Sequence, residues 1–263
     1  MKHWQIAGAL LAALVTAGPA WATNHAFADA SVDGPCIAAS GPASGYVNAS
    51  ASAETVDSDD PMFACFYYGG ADIFSQANGV DGTLQASGGG VFLYRAPRAD
   101  WSHSLVSTLT FLSDAPVTTV TFTIDGFAHA DGIDGSLSMY EYFGLDLEGD
   151  LGHFSGGFAL DAIGYGFDDI DYSTVTDTQS YSFTFTGPKA VVDLTFSGSG
   201  SYYDEARVSG STLGKLSIAM DHGSFWAPDG MFGAVPEPAT WAMMGLGFAV
   251  MGVGLRRRRA IAA

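Results

Sequence analysis

Thr119-Val120-Thr121-Phe122-Thr123-Ile124 decides how this chain is read. Valine, phenylalanine and isoleucine alternate with threonines, and a side-chain period of two puts the apolar set on one face of a strand and the hydroxyls on the other. Tyr181, Phe183 and Phe185 alternate in the same way with Ser182, Thr184 and Thr186, and Val192, Leu194 and Phe196 with Asp193, Thr195 and Ser197. Leu137 to Leu147 and Leu213 to Met220 continue the pattern. Each segment reads as a strand with one buried face.

Working outward, Gly, Asp and Ser clusters punctuate these runs and read as turns: Asp131-Gly132, Asp134-Gly135, Gly198-Ser199-Gly200 and Ser209-Gly210-Ser211. Leu84 to Tyr94 and Ser104 to Leu112 read as strands flanking a loop from Arg95 to Ser102. No amphipathic helical run interrupts the body, and no fixed-period repeat argues for a solenoid or propeller. The expectation is an all-β fold, one antiparallel β-sandwich of jelly-roll kind over residues 23–227. Thr23 to Pro61, rich in Ala, Ser, Gly and Asp, is expected to form loops with a few edge strands. Past Met220 the period is lost, and residues 228–235 read as a linker.

Both ends carry addresses. Lys2, an apolar run from Ile6 to Val15 and then Ala20-Trp21-Ala22 make residues 1–22 a secretory signal helix that signal peptidase removes, so that the mature chain starts at Thr23; Ala26-Phe27-Ala28 is a second candidate site. Export places Cys36 and Cys65 where disulfides persist, and they have one pairing. At the other end stand Pro236-Glu237-Pro238, an apolar stretch over residues 239–255, and the block Arg256-Arg257-Arg258-Arg259. An apolar helix that ends in permanent positive charge stops in a bilayer with that charge on the cytoplasmic side, so residues 239–255 read as a transmembrane helix.

This tail, residues 236–259, resembles the PEP-CTERM sorting signal of Gram-negative bacteria, in which a Pro-Glu-Pro triad, a short membrane helix and an Arg-rich end are read by a membrane-embedded exosortase. The resemblance implies that Pro236, Glu237 and Pro238 are a recognition site for that enzyme in trans. It implies passage through an inner-membrane intermediate to the cell surface or the extracellular space. It also implies an exopolysaccharide context, since such systems accompany exopolysaccharide production.

Charge excludes one class of partner. Of ten basic residues, Lys2 and the four C-terminal arginines lie in the sorting segments, and of 28 acidic residues only Glu237 lies outside residues 23–235. The body therefore carries five basic against 27 acidic side chains, a net of −22. Nucleic acid, bound by neutralising phosphates with Lys and Arg, is not a partner of such a surface.

Chemistry is sparse. There is no G-x-S-x-G elbow, H-E-x-x-H pair, phosphate loop or dinucleotide fingerprint. Gly210-Ser211-Thr212-Leu213-Gly214 has the spacing of an elbow with Thr at its centre and reads as a turn. The mature histidines, His25, His103, His129, His153 and His222, are isolated in sequence. Glu141 falls on the apolar face of the strand that carries Leu137, Met139, Phe143 and Leu145; the expectation is that a bulge or an edge position returns it to solvent. No catalytic residue, resident cofactor or firm metal site is expected. Calcium is the one ion with matching chemistry, since Asp131 with Asp134, and Asp168, Asp169 and Asp171, offer hard oxygen ligands beside glycines; solvated turn aspartates are the default for these positions. Trp101 and Trp226, in irregular segments, are candidates for stacking on sugar rings. The leading function is thus a non-enzymatic surface or matrix protein, the alternative a carbohydrate-binding module assisted by calcium, and the third a secreted hydrolase.

Overall fold

A computed structural model of the protein describes residues 25–32, 37–39, 42–45, 48–55, 70–91, 98–133, 135–166, 171–204 and 207–233. The strands are His25–Val32 (β1), Ile37–Ala39 (β2), Ala43–Gly45 (β3), Asn48–Thr55 (β4), Gly70–Asn78 (β5), Thr83–Val91 (β6), Arg98–Leu112 (β7), Val117–Ile133 (β8), Gly135–Gly149 (β9), Phe154–Gly166 (β10), Asp171–Thr186 (β11), Lys189–Asp204 (β12), Arg207–Met220 (β13) and Ser224–Trp226 (β14). They form two antiparallel sheets packed as a sandwich. The first runs β10-β9-β12-β7-β1-β3, with β14 also on β7; the second runs β11-β8-β13-β6-β5-β4-β2. From β6 onward the chain changes sheet at every connection except β9 to β10, as a jelly roll does.

The alternation that opened the sequence holds. Val120, Phe122 and Ile124 are fully buried in one apolar cluster with Phe111, Phe143, Phe196 and Leu194 of the opposite sheet. Phe111 and Phe122 sit edge to face with ring centroids 6.2 Å apart, the geometry that aromatic quadrupoles favour. On the outer face Thr121 bonds Ser182 (2.9 Å) and Thr123 bonds Ser180 (3.0 Å), so the hydroxyl rows pair across β8 and β11.

The structure departs from the sequence reading in four places. The Ala and Ser-rich start is strand rather than loop: Ala26, Ala28 and Ala30 on β1 and Ala49, Ala51 and Ala53 on β4 are all buried. β1 pairs with β7 along its full length, so it is no edge strand. Alanines at alternate positions keep the period of two with small side chains on the inward face, and the two strands face each other across the sandwich with Cα atoms within 8 Å, closer than the ~10 Å of ordinary stacked sheets. Secondly, Gly198-Ser199-Gly200 and Ser209-Gly210-Ser211 are not turns but lie inside β12 and β13, as does Gly210-Ser211-Thr212-Leu213-Gly214. Asp131-Gly132 likewise lies within β8, and Gly135 opens β9. Thirdly, β7 begins at Arg98, so most of the loop expected over Arg95 to Ser102 is strand.

The fourth departure is the linker. Pro228–Gly233 form a 3-10 helix, with Met231 fully buried and Phe232 nearly so. The Phe232 amide donates to Gly79 O at 2.7 Å, and its ring lies over Gly82 in the β5–β6 turn, where a Cβ would stand 3.0 Å from the ring. Gly82 has φ 66°, a left-handed conformation that suits glycine, and it sits under a side chain it must not touch. Residues 228–233 therefore cover the core beside the β5–β6 turn, against β7 and β13. Replacing Met231 by Ala should destabilise the protein by about 2–5 kcal/mol, as deletion of a buried Met side chain does, read as a lower urea midpoint with unchanged slope. A linker residue would leave the midpoint where it was.

Candidate functional site: a sealed polar cluster between the sheets

Glu141 sits in the middle of β9 and its side chain is fully buried. The expectation of a bulge or an edge position is corrected: β9 pairs in continuous register with β10 on one side and β12 on the other, Leu160 and Gly200 being the partners of Glu141. With the period unbroken, Glu141 keeps the inward direction of Met139 and Phe143.

A carboxylate in a core must be hydrogen-bonded to persist there. Trp101 Nε1 donates to Oε2 at 2.5 Å and Thr212 Oγ1 donates to the same oxygen at 2.6 Å. His103 Nε2 lies 2.8 Å from Oε1. The other face of the imidazole meets Ser75, whose Oγ is 3.2 Å from Nδ1 and 3.4 Å from the carbonyl of Ser102. Indole, hydroxyl and imidazole nitrogen thus converge on two oxygens, a donor set that fits an acceptor-only carboxylate.

The elements that place these groups are instructive. Glu141 lies on β9 and Trp101 and His103 on β7, yet β12 runs between those two strands. Side chains can meet across an intervening strand only where that strand has none of its own. Gly198 and Gly200 supply the gap: a Cβ at Gly198 would stand 2.4 Å from His103 Nε2 and 2.6 Å from Glu141 Oε1, and one at Gly200 2.4 Å from the Trp101 ring. Glycine inside a strand marks such a close approach. Phe196 and Tyr202, on the same inward face, bracket the gap. Thr212 on β13 and Ser75 on β5 reach the cluster from the second sheet, so it ties the two sheets together through the core.

Its chemistry is limited by access. Ser75, His103, Glu141 and Thr212 are between 0% and 1% exposed and Trp101 is 3%, so a serine, a histidine and a carboxylate stand in sequence with no path for a substrate to any of them. Spacing could not reveal this grouping, because Ser75, Trp101, His103, Glu141 and Thr212 come from four strands. One signal is legible in the sequence: an acid on the apolar face of a strand.

Other candidates fall elsewhere. The Trp101 reading is corrected: it lies on β7 inside the core, its ring 6.4 Å from that of Tyr202, and offers no face to a sugar. Trp226 is half-buried on β14 beside Thr110. Asp131 is half-buried on β8, its Oδ2 3.1 Å from His129 Nε2 and accepting Ser209 Oγ at 3.4 Å. Asp171 opens β11 opposite Gly132. Among the described residues, no group of three or more His, Cys, Asp or Glu stands together as a metal-holding set. Asp134, Asp168, Asp169, Cys36, Cys65, Pro236, Glu237, Pro238 and Arg256 to Arg259 lie outside the described residues, as do the signal helix and the span over 239–255. Among the described residues no helix is long and apolar enough to cross a membrane.

Comparison with known proteins identifies the tail and not the domain. Residues 234–259 match the family described as the PEP-CTERM protein-sorting motif. That motif implies an exported protein that is sorted to the cell surface through an exosortase, and its match is confined to the C-terminal segment. No curated protein matches the chain. Among solved structures, Eiger TNF from S. frugiperda is 11% identical over 43% of this chain and 92% of its own, with a TM-score of 0.13. A structure titled for carbohydrate-binding modules of the β-sandwich superfamily is 8% identical over 75% of this chain and 85% of its own, with a TM-score of 0.16. Likenesses of that size carry no weight for fold or function.

Replacing Glu141 by Ala should cost about 3–5 kcal/mol, because it leaves His103, Trp101 and Thr212 buried without their acceptor. Gly198→Ala should also destabilise, by driving a methyl into the imidazole and the carboxylate. Urea unfolding of both variants checks this. A Glu141→Ala protein as stable as the parent would show that the cluster is not paired as described.

Proposed function

We propose that the protein is a non-enzymatic, exported surface or matrix component, with a β-sandwich body delivered by its C-terminal sorting signal and acting in an exopolysaccharide context. The observation that carries this reading is the sorting motif joined to a domain whose assembled titratable cluster is sealed in its core. A hydrolase needs a cleft in which Glu141 or a histidine meets a second titratable group and a substrate. Here Glu141 meets His103 inside the sandwich, and the half-buried pair of His129 and Asp131 stands on the outward row of β8, bonded to Thr174 and Ser209.

The body and its addresses are closely spaced. Only Ala234 and Val235 separate the end of the 3-10 helix at Gly233 from Pro236. An exosortase acting at Pro236-Glu237-Pro238 would therefore work with the folded body held close to the membrane, and cleavage there would leave Met231 and Phe232 in place. At the N-terminus, the structure favours signal peptidase cleavage before Thr23 over the alternative after Ala28. The second cut would strip Ala26 and Ala28, both fully buried, from β1. The pairing of Cys36 with Cys65 stays part of the proposal; it would tie the first strands to the segment before β5 and constrain the unfolded chain. A calcium role is the weaker option, since the carboxylate of Asp131 is already engaged by His129 and Ser209.

Processing tests the reading. In a producing cell the mature protein should begin at Thr23 by N-terminal sequencing and should lose its C-terminal tail. The variant with Pro236, Glu237 and Pro238 all replaced by Ala should accumulate in the inner membrane at the higher mass. Equal processing of parent and variant would contradict exosortase sorting at this triad.

A further inference from the structure

The outer face of the first sheet carries an arrangement that the core does not explain. Most of its outward positions are small or polar, as expected of a solvated sheet face. At one place, however, large apolar side chains gather: Tyr140 and Tyr142 on β9 are 42% and 39% exposed, and Ile163 on the neighbouring β10 is 39% exposed. Tyr140 and Tyr142 are two positions apart on one strand, so they point the same way about 7 Å apart. Ile163 is the register partner of Ser138, one step further along the same row.

Tyr142 does not stand up from the sheet. A Cβ at Gly144 would stand 3.1 Å from its Cε1, and one at Gly157 would stand 2.6 Å from its Oη. Gly144 and Gly157 are themselves cross-strand partners. The ring therefore reaches from β9 over the backbone of two paired glycines, which carry no side chain to displace it, and Tyr142 stays 39% exposed. Two exposed tyrosines on one paired strand offer apolar rings with polar tips, a chemistry suited to a pyranose, whose C–H face is apolar while its rim is hydroxyl.

The rim of the platform matches a sugar's edge. Across the register, Tyr140 faces Asp161 on β10 and Ser201 on β12; Tyr142 faces Ala159 and Ser199. The rows continue onto β7 at Asp100 and Ser102. Ser138 Oγ donates to Asp161 Oδ1 at 3.0 Å, which orients that carboxylate beside the ring. Asp146 and Glu148 lie on the same outward face of β9, and no lysine or arginine occupies the described outward positions of β9, β10 or β12 around the tyrosines. That charge repels anionic polymers such as uronate chains and leaves uncharged glycans as the class the surface accepts.

We propose that the outer face of β9, centred on Tyr140 and Tyr142 with Asp161, Ser199 and Ser201 at its rim, is a docking platform for an uncharged extracellular polysaccharide. It rests on the reading that the protein works outside the cell among exopolysaccharides, and it moves the sugar-binding surface from Trp101, buried between the sheets, and Trp226, on β14, to the outer face of β9.

The test is native affinity electrophoresis of the full chain, purified in a detergent without a sugar headgroup, through gels containing hydroxyethyl cellulose, dextran, galactomannan or alginate. The expected result is retardation by at least one of the three neutral polymers and none by alginate. Tyr140→Ala and Tyr142→Ala should each weaken it about tenfold, and Phe74→Ala, an exposed aromatic on the second sheet, should leave it unchanged. Thermal unfolding of each variant reports whether these exposed positions alter folding. Migration unaffected by all three neutral polymers would overturn the proposal, as would retardation that survives loss of both tyrosines or that alginate produces. Any of those results would leave tail processing untouched, so failure here is distinct from failure of the sorting reading.

Discussion

A carboxylate buried at the centre of a sandwich is the constraint around which this fold is arranged. Glu141 cannot remain there without donors, and the fold provides three on its two oxygens from β7 and β13, with Ser75 of β5 completing the far side of His103. Because Thr212 and Ser75 belong to the second sheet and Glu141, Trp101 and His103 to the first, the cluster fixes how one sheet sits on the other. Apolar contacts alone specify such a stacking weakly, since Leu, Phe and Val pack in many offsets. Directional hydrogen bonds to a buried carboxyl group accept one. The cost is that any lost partner leaves a polar group stranded in a medium that solvates it poorly.

The glycines follow from that constraint. Gly198 and Gly200 are the only way for β9 to reach β7 across β12, and they stand where an ordinary strand would carry large apolar residues. The alanine faces of β1 and β4 show the same economy at the other end, where small side chains let the sheets approach. Between them lies the phenylalanine and leucine region of β7, β8, β9 and β12. The sandwich is thus pinched at its alanine end, filled with large side chains elsewhere, and capped by Met231 and Phe232.

How much of this could be read from sequence depends on the size of the side chains that carry the signal. Thr119 to Ile124 and Tyr181 to Thr186 were legible because bulky apolar residues alternate with hydroxyls. Asn48 to Thr55 alternates as strictly, yet alanine and serine look like a loop. Gly198-Ser199-Gly200 reads as a turn for a physical reason: glycine in a strand and glycine in a turn are the same letter, and only the long-range contact with Glu141 and Trp101 tells them apart. Glu141 itself was visible as an anomaly on an apolar face. Its partners were not, because they are gathered from four strands by topology. The sorting tail was the most legible part of all, since proline, a bounded apolar run and an arginine block act locally.

The division of labour in the molecule is clear in these terms. Its address is local sequence; its body is a sandwich that buries Glu141 and His103 in one polar cluster and whose outer faces carry hydroxyls, carboxylates and a few exposed aromatics. The most direct test of the central claim is a double-mutant cycle in urea between Glu141→Leu and Thr212→Val, which lie on opposite sheets. A coupling of about 1–3 kcal/mol is expected if the buried carboxylate bonds the two sheets together. Additive effects, with coupling near zero, would contradict it.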